Sequence, residues 1–225
     1  MLYDGGPQVT RSAWCVPFRN VPWTLGLKGG PLRLSFSSIN MISIVFIGGI
    51  HGAGKTTVAR DLASLLGVPH VSAGALIAEA KGQAAPTSKA VVNVDKNQAL
   101  LIEGLQVFRD RAHSGSMLLD GHFTVLNSAN EVKIIPVAVF RKIAPVAAIL
   151  VETADEIVFD RLQARDRQAP PLAVISSLRE RERDRGIIVC ARLQIPMLTV
   201  RGEAWSPTAA DSTAARLKGV LEGIR

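Results

Sequence analysis

Two cysteines, Cys15 and Cys190, are all that 225 residues contain. That number makes neither a disulfide framework nor a cysteine metal cluster, and it fits a reducing cytoplasm. Aromatic residues are scarce at 5%, and no aromatic-basic motif supports a nucleic-acid surface. No apolar run approaches the roughly 20 residues of a membrane helix, so a soluble protein without a membrane partner is expected. Acidic residues are outnumbered, 19 against 26 basic ones, for a formal net charge of +7. That excess suits a polyanionic ligand such as a nucleotide, weak nucleic-acid contact or simple solubility, and selects none of them.

What is present is a globular composition, with 48% hydrophobic and 20% charged residues. Residues 1–40 stand apart from it. They mix Gly, Pro, Ser and scattered aromatics without a period, and proline breaks their apolar pieces, so no secretory core forms. Met41 is followed at once by "ISIVFIG". The composition break makes Met41 the expected natural start and residues 1–40 a dispensable or disordered leader, with one domain over 41–225.

From Met41 on, apolar β-rich runs alternate with helical patterns, the signature of an α/β fold with a parallel sheet covered by helices. The first strand is Ile42–Gly48, and a helix follows over Lys55–Leu66 with Val58, Leu62 and Leu65 on one face. "PHVS" is a short strand and "AGALIAEAK" a helical turn or two, while 82–94 reads as a loop. "DKNQALLIEGLQVFRDRAHSG" is a helix with Asp95 as N-cap and Gly115 beyond its end. "SMLLDGHF" and "AAILVE" are core strands, "ADEIVFDRLQ" is a short helix and "PLAVISSLRERERDRGIIVCARLQ" a long one. "PMLTV" closes the sheet, and a last helix runs from about Pro207 to the end.

Between the first strand and the first helix lies "GIHGAGKT", which fits G-x-x-x-x-G-K-[ST] with Gly49, Gly54, Lys55 and Thr56 at the fixed positions. Glycines let successive backbone N–H groups turn inward onto phosphate oxygens, and the helix that opens there favours negative charge. Lys55 is expected to reach the β- and γ-phosphates, extending toward ligand rather than core, and the Thr56 hydroxyl to take a place on Mg²⁺. The turn therefore holds a nucleoside triphosphate. Asp120 ends the strand "MLLD", where a carboxylate reaches Mg²⁺ directly or through water, or is an ordinary strand-end residue. His122 fits a substrate contact or simple packing.

In "FDRLQARDRQAP", Arg161, Arg165 and Arg167 lie on a helix end and a polar turn before Pro170. Mobile arginines there can neutralise a transferring phosphoryl group once a lid closes, or they form a solvated face. "RERERDR" at 179–185 alternates in sign, which suits salt bridges on an exposed helix.

With these pieces placed, the body resembles the small P-loop kinases of nucleoside monophosphates, and most closely the archaeal-type adenylate kinases with their bacterial AAA-family ATPase relatives. The likeness runs from about Ile42 to Val200 through "VFIGGIHGAGKTT", "NVDKNQALLIEGL", "LLDGHF", "IIPVAVFRKIAP", "ILVETADEIVFDRLQARD" and "LQIPMLTV". It implies a three-layer α/β/α fold with a central parallel sheet and an ATP site over Gly49–Thr57, in which Gly52, Ala53, Gly54 and Thr57 join Lys55 and Thr56. It implies a lid near 163–171 and an acceptor side over about 73–115, with further pocket residues at 120–137. Its cofactors would be ATP and Mg²⁺, and its partner a small phosphate acceptor. The archaeal Arg-Asp-x-Met-Arg stretch that grips the acceptor phosphate is replaced by "PTSKAVVNVDKNQ", in which Lys89 offers a point charge instead and Gln98 a base-edge contact or an exposed helical position. Asp160 precedes Arg161 where the archaeal lid begins with paired arginines. Two readings follow: a kinase passing the γ-phosphoryl of ATP to a nucleoside monophosphate, which the "DGH" strand end and the lid arginines favour, and a nucleotide-dependent switch, which the missing acceptor arginines favour.

Overall fold

The computed structural model describes residues 42–82, 94–112, 115–126 and 131–223. The expected leader and Lys89 lie outside the described residues. Strand β1 (Ile42–Gly48) leads through the glycine-rich turn into α1 (Lys55–Leu66), then β2 (His70–Ser72), α2 (Ala73–Ala80) and α3 (Val94–Ala112). Next come β3 (Gly115–Asp120), β4 (Thr124–Leu126), β5 (Val132–Ile134) and α4 (Val137–Ile143). The chain continues through β6 (Pro145–Glu152), α5 (Asp155–Asp166), α6 (Leu172–Leu193), β7 (Met197–Arg201) and α7 (Pro207–Glu222).

Five strands make one parallel sheet in the order β2-β3-β1-β6-β7, and β4 pairs antiparallel with β5 beside it. β1 is apolar from Ile44 onward because the sheet is covered on both faces. Its Val45 and Ile47 pack in one core with Val58 and Leu62 of α1 and Leu217 of α7. Its Ile44 and Phe46 pack in another with Leu105 of α3, Phe140 of α4 and Val189 of α6. This is the three-layer α/β/α arrangement. Among the described residues, no helix is long and apolar enough to cross a membrane.

The differences from the sequence reading are local. Helix α3 begins at Val94, so Asp95 sits in its first turn rather than capping it; its charge still faces the positive end of the helix dipole. β3 stops at Asp120, because Gly121–Phe123 leave the sheet before β4 begins. β4, β5 and α4 went unread, since three-residue strands and a seven-residue helix are too short for a period to register. Helix α5 continues through Asp166, so Arg161 and Arg165 are helical and Arg167 ends the helix in the left-handed region at φ 55°.

Candidate active site

The site is built where β1 and β3 end side by side, with Ile47 opposite Asp120. After Gly48 the chain must turn tightly, and Gly52 and Gly54 do so at φ 83° and 95°, values that side-chain-bearing residues rarely adopt. Gly54 is the N-cap of α1, so the loop delivers its amides to the positive end of that helix. Ala53 is buried, and its carbonyl accepts 2.8 Å from the buried Thr153 hydroxyl at the end of β6. Thr56 and Thr57 follow in the exposed first turn of α1.

Lys55 is buried and still lines the cleft beside the glycine-rich turn. Its Nζ donates to the carbonyls of Gly49 at 2.7 Å and Ile50 at 2.9 Å. The loop carbonyls thus solvate the ammonium and hold its charge at the loop's centre.

The charged stretch 179–185 is not the solvated face its pattern suggests. Glu182 is 1% exposed. Its Oε1 accepts from the backbone N–H of Gly49 at 2.9 Å and of Phe123 at 2.8 Å, and its Oε2 from the Thr124 N–H and hydroxyl, both at 2.6 Å. Burial pushes its carboxyl above the usual range, opposed by the Thr124 and Phe123 hydrogen bonds and the charge of Lys55. Three arginines reach out of the stretch: Arg179 to Asp155, Arg183 to Glu152 and Arg185 to the Ile135 carbonyl.

Asp120 is buried, and its Oδ2 lies 2.7 Å from Nε2 of His70 on the neighbouring strand. His70 went unnoticed in the sequence, although Ser72 and Asp120 are register partners and His70 lies two residues back. The imidazoles of His51, in the loop, and His122 lie 4.2 Å apart, tilted by 52°. Arg161 reaches back across the loop, its guanidinium 3.1 Å from the Gly52 carbonyl. Arg165 pairs with its neighbour Asp166.

His51, Lys55, Asp120, His122 and both helical arginines line one cleft of about 1480 Å³, well beyond the several hundred Å³ of a single-ligand pocket. Lys55, Thr56, Thr57, Arg161 and Arg165 line one side of it. Gln98, Lys81 and Lys96 line the other, with Asp120 and His122 between. Gly49, Ala53 and Arg167 are not on its surface. The Oε1 atom of Gln98 is buried without a hydrogen-bond partner, so this glutamine is not the exposed helical residue of the alternative reading. Lys81 and Lys96 are cations that the sequence reading passed over.

A donor set of one hydroxyl (Thr56) and one carboxylate (Asp120) suits a hard divalent cation that keeps much of its water, as Mg²⁺ does. Among the described residues there is no cluster of three His, Cys, Asp or Glu for a softer metal.

Comparison with known proteins agrees with this geometry. The chain is 33% identical over 86 residues to a cytidylate kinase of Pyrobaculum aerophilum, covering 36% of the chain and 45% of that protein. It is likewise 33% identical over 91 residues to a cytidylate kinase of Methanopyrus kandleri, covering 39% and 46%. The match thus spans less than half the length of these curated relatives. Among solved structures, the shikimate kinase of Bacteroides thetaiotaomicron superposes with a TM-score of 0.51 at 17% identity, over 80% of this chain and 98% of that one. The Aquifex aeolicus shikimate kinase gives 0.50 at 18%, over 80% and 99%; at such identities the likeness is one of fold. The model of the AAA_17 family, described as an AAA domain, matches residues 48–179, from the end of β1 to Arg179 in α6. That match takes in more than half of the 225 residues and contains the whole glycine-rich loop, and the chain belongs to this AAA-domain family.

Proposed function

We propose that this protein is an ATP-dependent phosphotransferase that moves the γ-phosphoryl group to a small acceptor, a nucleoside monophosphate above all. The observation that carries the reading is the shared cleft, in which a phosphate-binding loop and an acceptor-side wall with its own cations face one volume large enough for two ligands. Catalysis of this kind is positioning plus neutralisation of charge on the transferring group. The loop amides and Lys55 would bind the triphosphate, Thr56 and Asp120 would hold Mg²⁺, and Arg161 and Arg165 would meet the phosphoryl group as the segment at 163–171 closes. Bound Mg²⁺ would supply charge neutralisation on the phosphate oxygens.

On the acceptor side, Lys81 and Lys96 line the cleft and would supply the cations that an acceptor phosphate needs. The buried, unpartnered Oε1 of Gln98 is an acceptor that wants a donor. The exocyclic amino group of cytosine or adenine provides one, and uracil provides a carbonyl there instead. The likeness to cytidylate kinases and the unpartnered Gln98 oxygen support testing CMP first and AMP second.

The experiment is to incubate the protein with MgATP and CMP, AMP, UMP, nucleosides and small hydroxy acids, and to assay the phosphorylated product. Transfer to CMP or AMP above UMP is expected, and Arg161→Ala should lower it by on the order of 10³-fold with little change in ATP affinity if that arginine acts as a finger. ATP consumption that no acceptor raises above the water background, with Arg161→Ala equal to the parent, would instead select a nucleotide-dependent switch.

A further inference from the structure

Helix α6 supplies a charge to the nucleotide site from 133 residues beyond Gly49 in sequence. We infer that Glu182 is a positioning residue of this site. Its carboxylate fixes the first amide of the glycine-rich loop and the backbone after Asp120 in one geometry, and through Gly49 it sets the place of Lys55.

The contacts form a short chain. Glu182 accepts the Gly49 N–H at 2.9 Å, and the Gly49 carbonyl accepts from Lys55 Nζ at 2.7 Å. A single residue therefore separates the buried carboxylate from the Lys55 ammonium, and Gly49 is held from both ends. The same carboxylate takes the Phe123 and Thr124 amides, which lie just past Asp120 and His122. Burying a carboxylate is costly unless donors surround it. Here two amides, a third amide and a hydroxyl do so, and each oxygen atom has two of them.

Packing shows that the junction has been fitted closely. A Cβ at Gly48 would lie 2.3 Å from the Phe123 ring, and one at Gly186 would lie 3.0 Å from it. The ring thus fills the space between the end of β1 and α6, one turn after Glu182. Without a carboxylate at 182 the loop amide and the post-β3 amides would lose a common anchor, and Lys55 would lose the charge that offsets its own.

The inference rests on the reading that the loop binds the phosphates of a nucleotide, and not on the identity of any acceptor. Glu182→Gln keeps size while replacing half the carboxylate by a donor aimed at N–H groups. Measured by calorimetric titration with Mg²⁺, its affinity for ATP should fall on the order of tenfold or more, for ADP less, and for adenosine not at all. A role confined to stability would lower the denaturation midpoint but leave the three ligands equally affected at temperatures where the variant is folded. Thr124→Val, which removes one donor and keeps the carboxylate, gives the same ranking at smaller amplitude and serves if Glu182→Gln fails to fold. Glu182→Asp should restore part of the loss.

Equal affinities of variants and parent for ATP, or a loss independent of phosphate number, overturn the assignment while leaving nucleotide binding intact. A parent protein that binds neither ATP nor ADP overturns both. In the double variant Lys55→Ala/Glu182→Gln, the loss should be less than the product of the single losses, because both act through Gly49.

Discussion

The two walls of the cleft are assembled differently. On the glycine-rich side the backbone is irregular, and side chains take its polar groups: from distant elements Thr153 holds the Ala53 carbonyl, Arg161 the Gly52 carbonyl and Glu182 the Gly49 amide, while Lys55 at the start of α1 holds the carbonyls of Gly49 and Ile50. On the opposite side α2 and α3 satisfy their own backbones and meet through apolar contact. Gly104 of α3 lies so close to α2 that an added Cβ would be 2.6 Å from the Leu76 carbonyl oxygen. The Glu79–Arg111 pair that links these helices is exposed, and Gln98 keeps an unpartnered oxygen in the cleft. An irregular loop needs such side chains, because buried N–H and C=O groups must be paired. A helix pair does not, so its polar atoms are available to a ligand. The difference teaches that one wall is preorganised by long-range hydrogen bonds while the other leaves specificity to a few side chains on a rigid apolar support.

Lys55→Ala should break the first wall most severely. It removes the cation expected at the β- and γ-phosphates and strips two loop carbonyls of their donor. The loss of ATP affinity should be roughly 1.5–3 kcal/mol, about 10- to 150-fold. Titration with MgATP measures it, and an unchanged affinity would defeat the phosphate-loop assignment.

A matched pair of glycine variants tests whether the walls are separable. A Cβ at Gly202 would lie 2.2 Å from the Ala53 carbonyl and 2.4 Å from the Thr153 hydroxyl, whereas one at Gly104 presses on α2. Each Gly→Ala change should cost about 1–3 kcal/mol by overpacking, read from denaturant midpoints. Gly202→Ala should also weaken ATP binding. Gly104→Ala should leave ATP binding near the parent value and raise the KM for the acceptor. Identical ligand profiles for the two variants would show one cooperative cleft rather than two walls.

The same contrast explains what could be read from the sequence. The glycine-rich loop was legible because its chemistry is local: eight residues between a strand and a helix carry the phosphate-binding pattern. The parallel sheet was legible because β1 and β6 are apolar on both faces. Glu182 was misread because charge alternation in "RERERDR" was weighed above helical spacing. Yet Ile175, Leu178, Glu182, Gly186 and Val189 recur every three or four residues on the face that meets the core, and that spacing points Glu182 inward. Thr153, Gly202 and His70 carry no local signal. Their importance arises only when β6 and β7 end beside the loop and β2 pairs alongside β3, within reach of Asp120.

The smallest effects compare one ion pair beside each wall. Asp155, in the first turn of α5, receives Arg179 through two hydrogen bonds of 2.7 and 3.1 Å, and both side chains are largely covered. The Arg179 hydrogen bonds hold the Asp155 carboxyl below its usual range, against the opposing effect of burial, with the charge of Arg179 reinforcing them. A carboxyl lowered in the folded state adds stability above its unfolded value, about 3.9, and that stability is lost as pH falls through the lower folded value. Asp155→Asn should therefore cost up to about 1 kcal/mol at pH 7, with the gap to the parent closing below pH 4. Arg111→Gln removes the pair of α2 and α3, whose side chains are 69% and 52% exposed. It should shift the midpoint by no more than a few tenths of a kcal/mol and lose even that in high salt. Denaturant titrations of both variants from pH 7 to pH 3 check the ordering. If Arg111→Gln proved the costlier, polar pairing would anchor the acceptor wall as well, and the division between the two sides would fail.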